Sequence, residues 1–335
     1  MATSSSSAEQ TLQTPVADAP ADFAEGEPAR QRRMLIIVNP YAATVSDRLR
    51  HLVVYALQGR FEVDAVDTEA RGHATEICRE AAHEGYDVVV AFGGDGTVNE
   101  AANGLAGTQT PLTCLPGGSN NVFCKMLGIP NDVVDATEHL LALSDRWEPR
   151  GVDLGRVNGR AFTFAAGMGL DASVVERVDA NPDMKRRFGH WYFTQKAVGT
   201  FMRKYVVRPP KLSASVDGGE PIDGVSVFFQ NGQPYTYFKE RPVNLTEGAR
   251  LDSGDLAGVV LTRANPVDVP TVIFRALSTA AIPDHRRVEA FEGAREVIIR
   301  SRDGRPVPWQ VDGDHVGDDE EVRVTVDAGT LHVVA

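Results

Sequence analysis

Residues 88–97, Val88-Val89-Val90-Ala91-Phe92-Gly93-Gly94-Asp95-Gly96-Thr97, run from an unbroken apolar stretch straight into a glycine loop. A short apolar run ended by glycine reads as a strand buried on both faces, the habit of parallel sheets. The helical pattern that follows, near Val98–Leu105, puts the glycines at a strand–helix junction. There they let the backbone approach a phosphate closely, and the N–H groups of the loop and helix start can cradle the anion. Asp95 would repel phosphate unless it held a divalent cation or oriented the nucleotide through water, so it points to Mg²⁺ together with a nucleotide. The loop lacks the Lys-Ser/Thr of a Walker loop and the third glycine of a GxGxxG fingerprint. Two adjacent glycines alone can make an ordinary turn; Gly93 to Thr97 as a set favour a ligand loop.

Outward from this stretch, the apolar run Met34–Val38 and short strands at Val63–Val66 and Leu112–Leu115 alternate with helical patterns at Ser46–Leu57 and His73–Glu84. Such alternation predicts a parallel sheet covered on both faces. Helical patterns continue at Val122–Leu127 and Val133–Leu143. A second glycine loop, Pro116-Gly117-Gly118-Ser119-Asn120-Asn121, follows the Leu112–Leu115 strand, and Asn39-Pro40 follows the first. All three loops would lie at the carboxyl ends of strands, where α/β sheets place ligands.

After residue 150 the texture changes. Val152–Val157, the turn Asn158-Gly159 and Ala161–Ala165 read as a hairpin. Helical segments are expected at Asp171–Asp179 and Trp191–Tyr205, and one amphipathic stretch at Val269–Ala281. The rest is short strands: Leu212–Val216, Val225–Gln230, Leu256–Thr262, Val297–Arg300, Trp309–Val311, Val322–Val326 and Leu331–Val334. The expectation is a disordered tail over 1–33, an α/β domain over 34–150 and a mainly antiparallel, sandwich-like domain over 151–335, its last strand free to return to the first domain.

The chain has 335 residues, with 34 Lys and Arg against 46 Asp and Glu; the net charge of −12 argues against nucleic acid as a partner. Cys78, Cys114 and Cys124 are too scattered for a zinc site or a disulfide framework. No secretory signal or spanning apolar run is visible, and a reduced, cytoplasmic setting is expected.

Gly93-Gly94-Asp95-Gly96-Thr97-Val98-Asn99-Glu100 resembles the GGDGTxNE loop of the lipid kinases, which include bacterial diacylglycerol kinases and eukaryotic sphingosine and ceramide kinases. Gly118-Ser119-Asn120-Asn121-Val122-Phe123 with Leu127-Gly128-Ile129 looks like their GTxNDFARxLGI loop, Asn39-Pro40 like their opening NPxSG, and Val311-Asp312-Gly313-Asp314 stands at their late DGE. The resemblance runs from about residue 34 to 335. It implies an NAD-kinase-like fold for the α/β domain, with ATP contacts at Asn39, Pro40, Thr68, Gly93, Gly94, Asp95, Gly96, Thr97, Asn99, Glu100, Gly118, Ser119 and Asn121. It also implies catalytic acids at Asp95, Asp312 and Asp314, and a Mg²⁺ at the loop holding Asp252, Ser253 and Asp255. The sequence departs from the pattern where Tyr41-Ala42-Ala43 replaces Ser-Gly, Val122 replaces Asp, Asp314 replaces Glu, and Ser253 replaces the usual Asp of the metal loop.

The implied reaction is ATP- and Mg²⁺-dependent phosphorylation of a lipid hydroxyl, with diacylglycerol as the default acceptor. Asp312 is favoured for proton abstraction and Asp314 for support, an order that could be reversed; Asp-Gly is also a plain hairpin-turn signal. A lipid acceptor implies a membrane surface. Met184 to Arg208 carries Lys185, Arg186, Arg187, Lys196, Arg203, Lys204 and Arg208 interleaved with aromatics and no acid, which fits peripheral attachment to anionic phospholipid headgroups. The bland reading is a core helix with solvated charges. An NAD kinase shares the GGDGT loop, and a non-catalytic lipid- or nucleotide-binding protein could share the fold. The second glycine loop and the late Asp-Gly-Asp favour the lipid branch.

Overall fold

The computed structural model describes residues 30–169, 209–238, 241–265, 268–277 and 282–335. Nearly all of the expected tail, both expected helices at Asp171–Asp179 and Trp191–Tyr205, and the basic–aromatic stretch Met184–Arg208 lie outside the described residues.

The apolar run Met34–Val38 forms the buried part of β1 (Arg32–Val38), the second strand of a parallel array ordered β2-β1-β3-β4. Its neighbours are β2 (Phe61–Asp67) and β3 (Val88–Gly93), and β4 (Leu112–Pro116) follows β3. Strand β3 is buried at every residue, as its unbroken hydrophobicity predicts, and β4 is equally buried although it carries Thr113. Helix α1 (Asp47–Leu57) starts where the Ser46 hydroxyl accepts from the Leu49 N–H at 3.3 Å. Helix α2 (His73–Glu84) is bounded by Gly72 and Gly85, both left-handed. Helix α3 (Asp95–Leu105) begins earlier than its apolar pattern, because the glycine loop itself makes the first turn. The short α4 (Val122–Met126) and α5 (Val133–Leu143) complete this half; the Asp132 carboxylate accepts from Val134 and Asp135 at the start of α5.

In the second half, β5 (Arg150–Val157) and β6 (Arg160–Phe162) form the expected hairpin, with Asn158 and Gly159 at φ 48° and 86°. Then come β7 (Ala165–Met168), β8 (Leu212–Val216), β9 (Ile222–Gly224), β10 (Ser226–Gln230), β11 (Thr236–Phe238), β12 (Arg241–Val243) and β13 (Leu256–Leu261). Helix α6 (Asp268–Leu277) answers the amphipathic stretch, and β14 (Val288–Ala294), β15 (Glu296–Ser301), β16 (Val307–Val311), β17 (Asp314–Asp319) and β18 (Glu321–Val333) follow. An antiparallel sheet ordered β14-β13-β10-β7-β16-β17 packs on β6, β15 and β18 of the larger sheet through Phe162, Met168, Phe229, Ile299, Trp309 and Val324. Strands β14 and β17 carry too much charge to read as strands; both are edges, where charge is tolerated and guards against further pairing.

The two strands expected at Val322–Val326 and Leu331–Val334 are one. β18 pairs antiparallel with β15 and β5 and meets β4 in parallel at Val333 and Leu112. Its register shifts between Asp327 and Leu331, where Gly329 turns through a positive φ and donates its N–H to Asp153 Oδ1 at 2.7 Å. One sheet therefore spans both halves. Among the described residues no helix is long and apolar enough to cross a membrane. The three cysteines are free and buried.

Candidate active site at the carboxyl edge of the parallel strands

The two glycine loops interlock. The Gly117 N–H donates to the Gly93 carbonyl at 2.8 Å, and a Cβ on Gly118 would stand 2.7 Å from Gly94 Cα. Only residues without side chains allow this approach. The third loop joins them through backbone bonds from Asn39 N to Phe92 O (3.0 Å) and Thr44 N to Gly117 O (3.1 Å). Asn39 Nδ2 also donates to Thr97 Oγ1 at 3.0 Å. Asn121 closes the second loop: its Oδ1 accepts from Gly118 N at 2.8 Å and its Nδ2 donates back to Gly118 O at 3.0 Å. Ser119 is exposed at the tip.

Three carboxylates gather around this knot, each in a different situation. Asp95, at the first turn of α3, reaches across to accept from the Phe123 N–H at 3.4 Å, so it ties the start of α3 to the start of α4. Burial first, and then the negative charge of Asp312, push its carboxyl up to about 7. Asp312 is 6% exposed and accepts five hydrogen bonds. Asn99 Nδ2 (2.8 Å), Thr163 N (2.7 Å) and Thr163 Oγ1 (2.8 Å) reach Oδ2, and the N–H groups of Phe164 and Ala165 reach Oδ1 at 3.0 Å each. Burial raises its pKa, with these hydrogen bonds opposing the rise. The Asp-Gly turn is real as well: Asp312 and Gly313 lie at φ 47° and 83° between β16 and β17. That turn swings Asp314 to the other side of the loop. Its Oδ2 lies where a Cβ on Gly96 would be 3.0 Å away, against the first turn of α3.

Asp314 borders a cavity of about 280 Å³ with Asn39, Thr68, Gly96, Thr97 and Glu100 from the expected set. The remaining walls are Tyr41, which the sequence marks as a departure in the opening loop, and Glu69, Ala70 and Arg71, which the sequence reading did not single out. Arg71 Nη2 stands 3.6 Å from Asp314 Oδ1. Glu100 lines the cavity but spends its carboxylate on the N–H groups of Gly72 (2.8 Å) and Ala74 (3.3 Å), fixing the start of α2. Asn99, expected at the nucleotide, is 2% exposed and lies behind the cavity. Its amide donates to Asp312 and to Ala161 O (2.9 Å), and its Oδ1 accepts from Arg160 at 2.7 Å. It joins α3 to the β5–β6 hairpin.

A model of the diacylglycerol kinase catalytic domain matches residues 33–157. Diacylglycerol kinase of Staphylococcus aureus (strain Newman) is 35% identical over 292 residues, 86% of this chain and 87% of that protein. The chain belongs to the diacylglycerol kinase family. Diacylglycerol kinase of Bacillus subtilis (strain 168) is 34% identical over 192 residues, an alignment spanning 56% of this chain and 60% of the relative. A crystal structure of a diacylglycerol kinase from Bacillus anthracis str. Sterne shares the fold at TM-score 0.67 and 20% identity, covering 92% of this chain and 98% of that one.

In this lipid kinase the side chains of the expected metal loop are engaged with protein partners. Asp252 pairs with Arg250 at 3.1 Å, and the Ser253 hydroxyl lies 2.8 Å from Asp255 and 3.0 Å from the Arg250 carbonyl. The Gly254 N–H donates instead to Asp153 Oδ2 at 2.6 Å. Among the described residues no three His, Cys, Asp or Glu side chains converge as metal ligands. The loop thus closes on its own partners and, through Asp153, is stitched to the Gly329 bulge of β18.

The interlock makes a direct prediction for this kinase. Gly118→Ala drives a methyl into the Gly94 backbone, and Gly94 cannot retreat without moving the first turn of α3. Misplacement of that order can cost about a hundredfold in rate. Steady-state turnover of Gly118→Ala should fall on that scale with a raised KM for ATP. Wild-type kinetics would mean that the loops do not act as a unit.

Proposed function

We propose that this lipid kinase moves the γ-phosphoryl group of ATP to the free hydroxyl of a diacylglycerol, giving phosphatidic acid. One observation carries the reading. A carboxylate from the second half of the chain, Asp314, meets Gly96 and Thr97 of the first glycine loop, in the first turn of α3, at one cavity.

Phosphoryl transfer needs positioned phosphates, neutralised charge and a base at the attacking hydroxyl. The N–H groups at the start of α3 suit the phosphates, since they carry the positive end of the helix dipole. For the base the geometry favours Asp314 and reverses the order preferred from sequence. The lone pairs of Asp312 are taken by its five donors, whereas Asp314 is about one-third exposed (33%) and faces the cavity. The acceptor hydroxyl would give its proton to Asp314 as its oxygen bonds to the γ-phosphorus. The bridging oxygen would then leave on ADP with the electron pair of the broken bond. Asp312 is read as the positioning group that fixes the turn carrying Asp314.

The residues present fit Mg²⁺ in the mode that ion usually takes, one or two carboxylates plus substrate phosphates and water. Asp95 would hold it: it immediately precedes Gly96 of the cavity wall, at the junction of the starts of α3 and α4. Bound there, the ion would neutralise charge on the phosphates. The membrane-facing element in this reading is the basic–aromatic sequence from Met184 to Arg208. Reversing the charges of Lys185, Arg186 and Arg187 should release the protein from anionic vesicles, at about 1 kcal/mol per residue. Unchanged co-sedimentation would assign that stretch to the interior.

The test of the activity is γ-labelled ATP with a panel of lipid alcohols in mixed micelles and NAD as a further acceptor. Label in phosphatidic acid supports the reading; label in NADP, or in nothing, overturns it.

A further inference from the structure

Arg71 is the one cationic side chain among the described residues lining the cavity, against Glu69, Glu100 and Asp314. Its backbone is held in place: Glu100 binds the N–H groups of Gly72 and Ala74 immediately after it. Its side chain is 70% exposed and reaches Asp314 at 3.6 Å. A solvated pair at this distance contributes little, so a multiply charged phosphate competes for the guanidinium with ease. The planar fork of arginine also matches phosphate oxygens in pairs. Asp314 meanwhile sits against Gly96 at the first turn of α3, where phosphate oxygens would find their N–H donors. The carboxylate and the nucleotide therefore compete for the same helix end and the same arginine.

We propose that Arg71 is a phosphate-positioning residue whose guanidinium exchanges between Asp314 and the phosphates of the nucleotide. Arrival of the nucleotide then withdraws Arg71 from the Asp314 carboxylate, which raises that carboxylate's basicity toward the acceptor hydroxyl. The inference rests on the nucleotide reading above and adds to it a residue and a coupling: Arg71 pairs with the base until phosphates claim that arginine.

The experiment is a double-mutant cycle on ADP affinity, measured calorimetrically in Mg²⁺ on the full chain. Its proteins are wild type, Arg71→Ala, Asp314→Asn and the double variant. Arg71→Ala should weaken ADP on the order of tenfold, the loss of one charge-assisted contact. Asp314→Asn should tighten ADP several-fold, by removing a competitor for Arg71 as well as a like charge. In the Arg71→Ala background that gain should shrink to the like-charge part alone, so the two effects are not additive. Arg71→Lys should recover part of the affinity, and in turnover assays Arg71→Ala should raise KM for ATP more than it lowers kcat. If wild type binds ADP and Arg71→Ala binds it equally well, or if the two substitutions are additive, the exchange is overturned while the nucleotide site stands. If wild type binds no ADP, the nucleotide reading falls and this inference falls with it.

Discussion

Asp95→Asn is expected to lower phosphoryl transfer by about three orders of magnitude while making the protein more heat-stable at pH 8. The first effect follows from removing a charge that the proposed phosphate site would use, at nearly constant volume. The second follows from the environment of Asp95. Burial and the nearby charge of Asp312 raise its carboxyl from the ordinary 3.8 to about 7. The folded chain therefore holds this proton more tightly than the unfolded chain does. The stability it contributes is fully present below pH 4 and is lost as the pH rises through about 7. Asparagine keeps an oxygen for the Phe123 N–H and has no proton to lose. The difference in melting temperature between variant and wild type should therefore be near zero at pH 4, grow between pH 4 and 7, and level off at several degrees above pH 7. Two melting curves that run parallel from pH 4 to 8 would place Asp95 in ordinary solvent. Retained turnover would remove it from the reaction.

Asp312→Asn and Asp314→Asn should fail in different ways. Asparagine at 312 can offer one acceptor oxygen to a nest of five donors, and its amide nitrogen must face some of them. Buried donors left without acceptors cost about 1–3 kcal/mol, more at a charged group, so a melting-temperature fall of about 5–10 °C is expected. Turnover would fall with it, because the turn that aims Asp314 is built on those bonds. Asp314→Asn changes a one-third-exposed side chain, so its melting temperature should stay within a degree or two while turnover falls by about 10²- to 10⁴-fold, the usual contribution of a general base. Thermal melts beside kcat for both variants decide between them. A stable but inactive Asp312→Asn beside an active Asp314→Asn would restore Asp312 as the base.

Much of this was legible in the sequence because it is written in local chemistry. Val88–Gly93 announces a buried strand through unbroken hydrophobicity, Asn158-Gly159 announces a hairpin through its turn preference, and the paired glycines of both loops announce close backbone approach. What stayed hidden depends on partners distant in the chain. The Asp312-Gly313 signal specifies a turn without saying that the aspartate faces inward to residues of the β6–β7 segment. Asn99 belongs to a motif, yet its amide is spent on Ala161 and Asp312. Arg71 gives no signal of its own; its one clue is its place in the loop after β2, on the same sheet edge as the glycine loops. The joining of two expected strands into β18 depended on Asp153 anchoring Gly329, a contact across most of the second half.

The long strand β18 also dictates an order of events during synthesis. Strands β1 to β4 and both glycine loops leave the ribosome early, but the outer edge of β4 finds its partner only when Val333 and Val334 are made; Val334 N then donates to Leu112 O at 3.1 Å. Until that point a strand buried at every residue in the folded chain, Leu112–Pro116, presents an unpaired edge, the geometry that recruits strands from other chains. Closing the sheet also means closing a loop that contains the entire second half, a slow, long-range step. The kinase-homologous stretch 33–157 made alone lacks its last neighbour and should aggregate. A circular permutant that makes β18 immediately after β4 should shorten the exposed interval and refold faster.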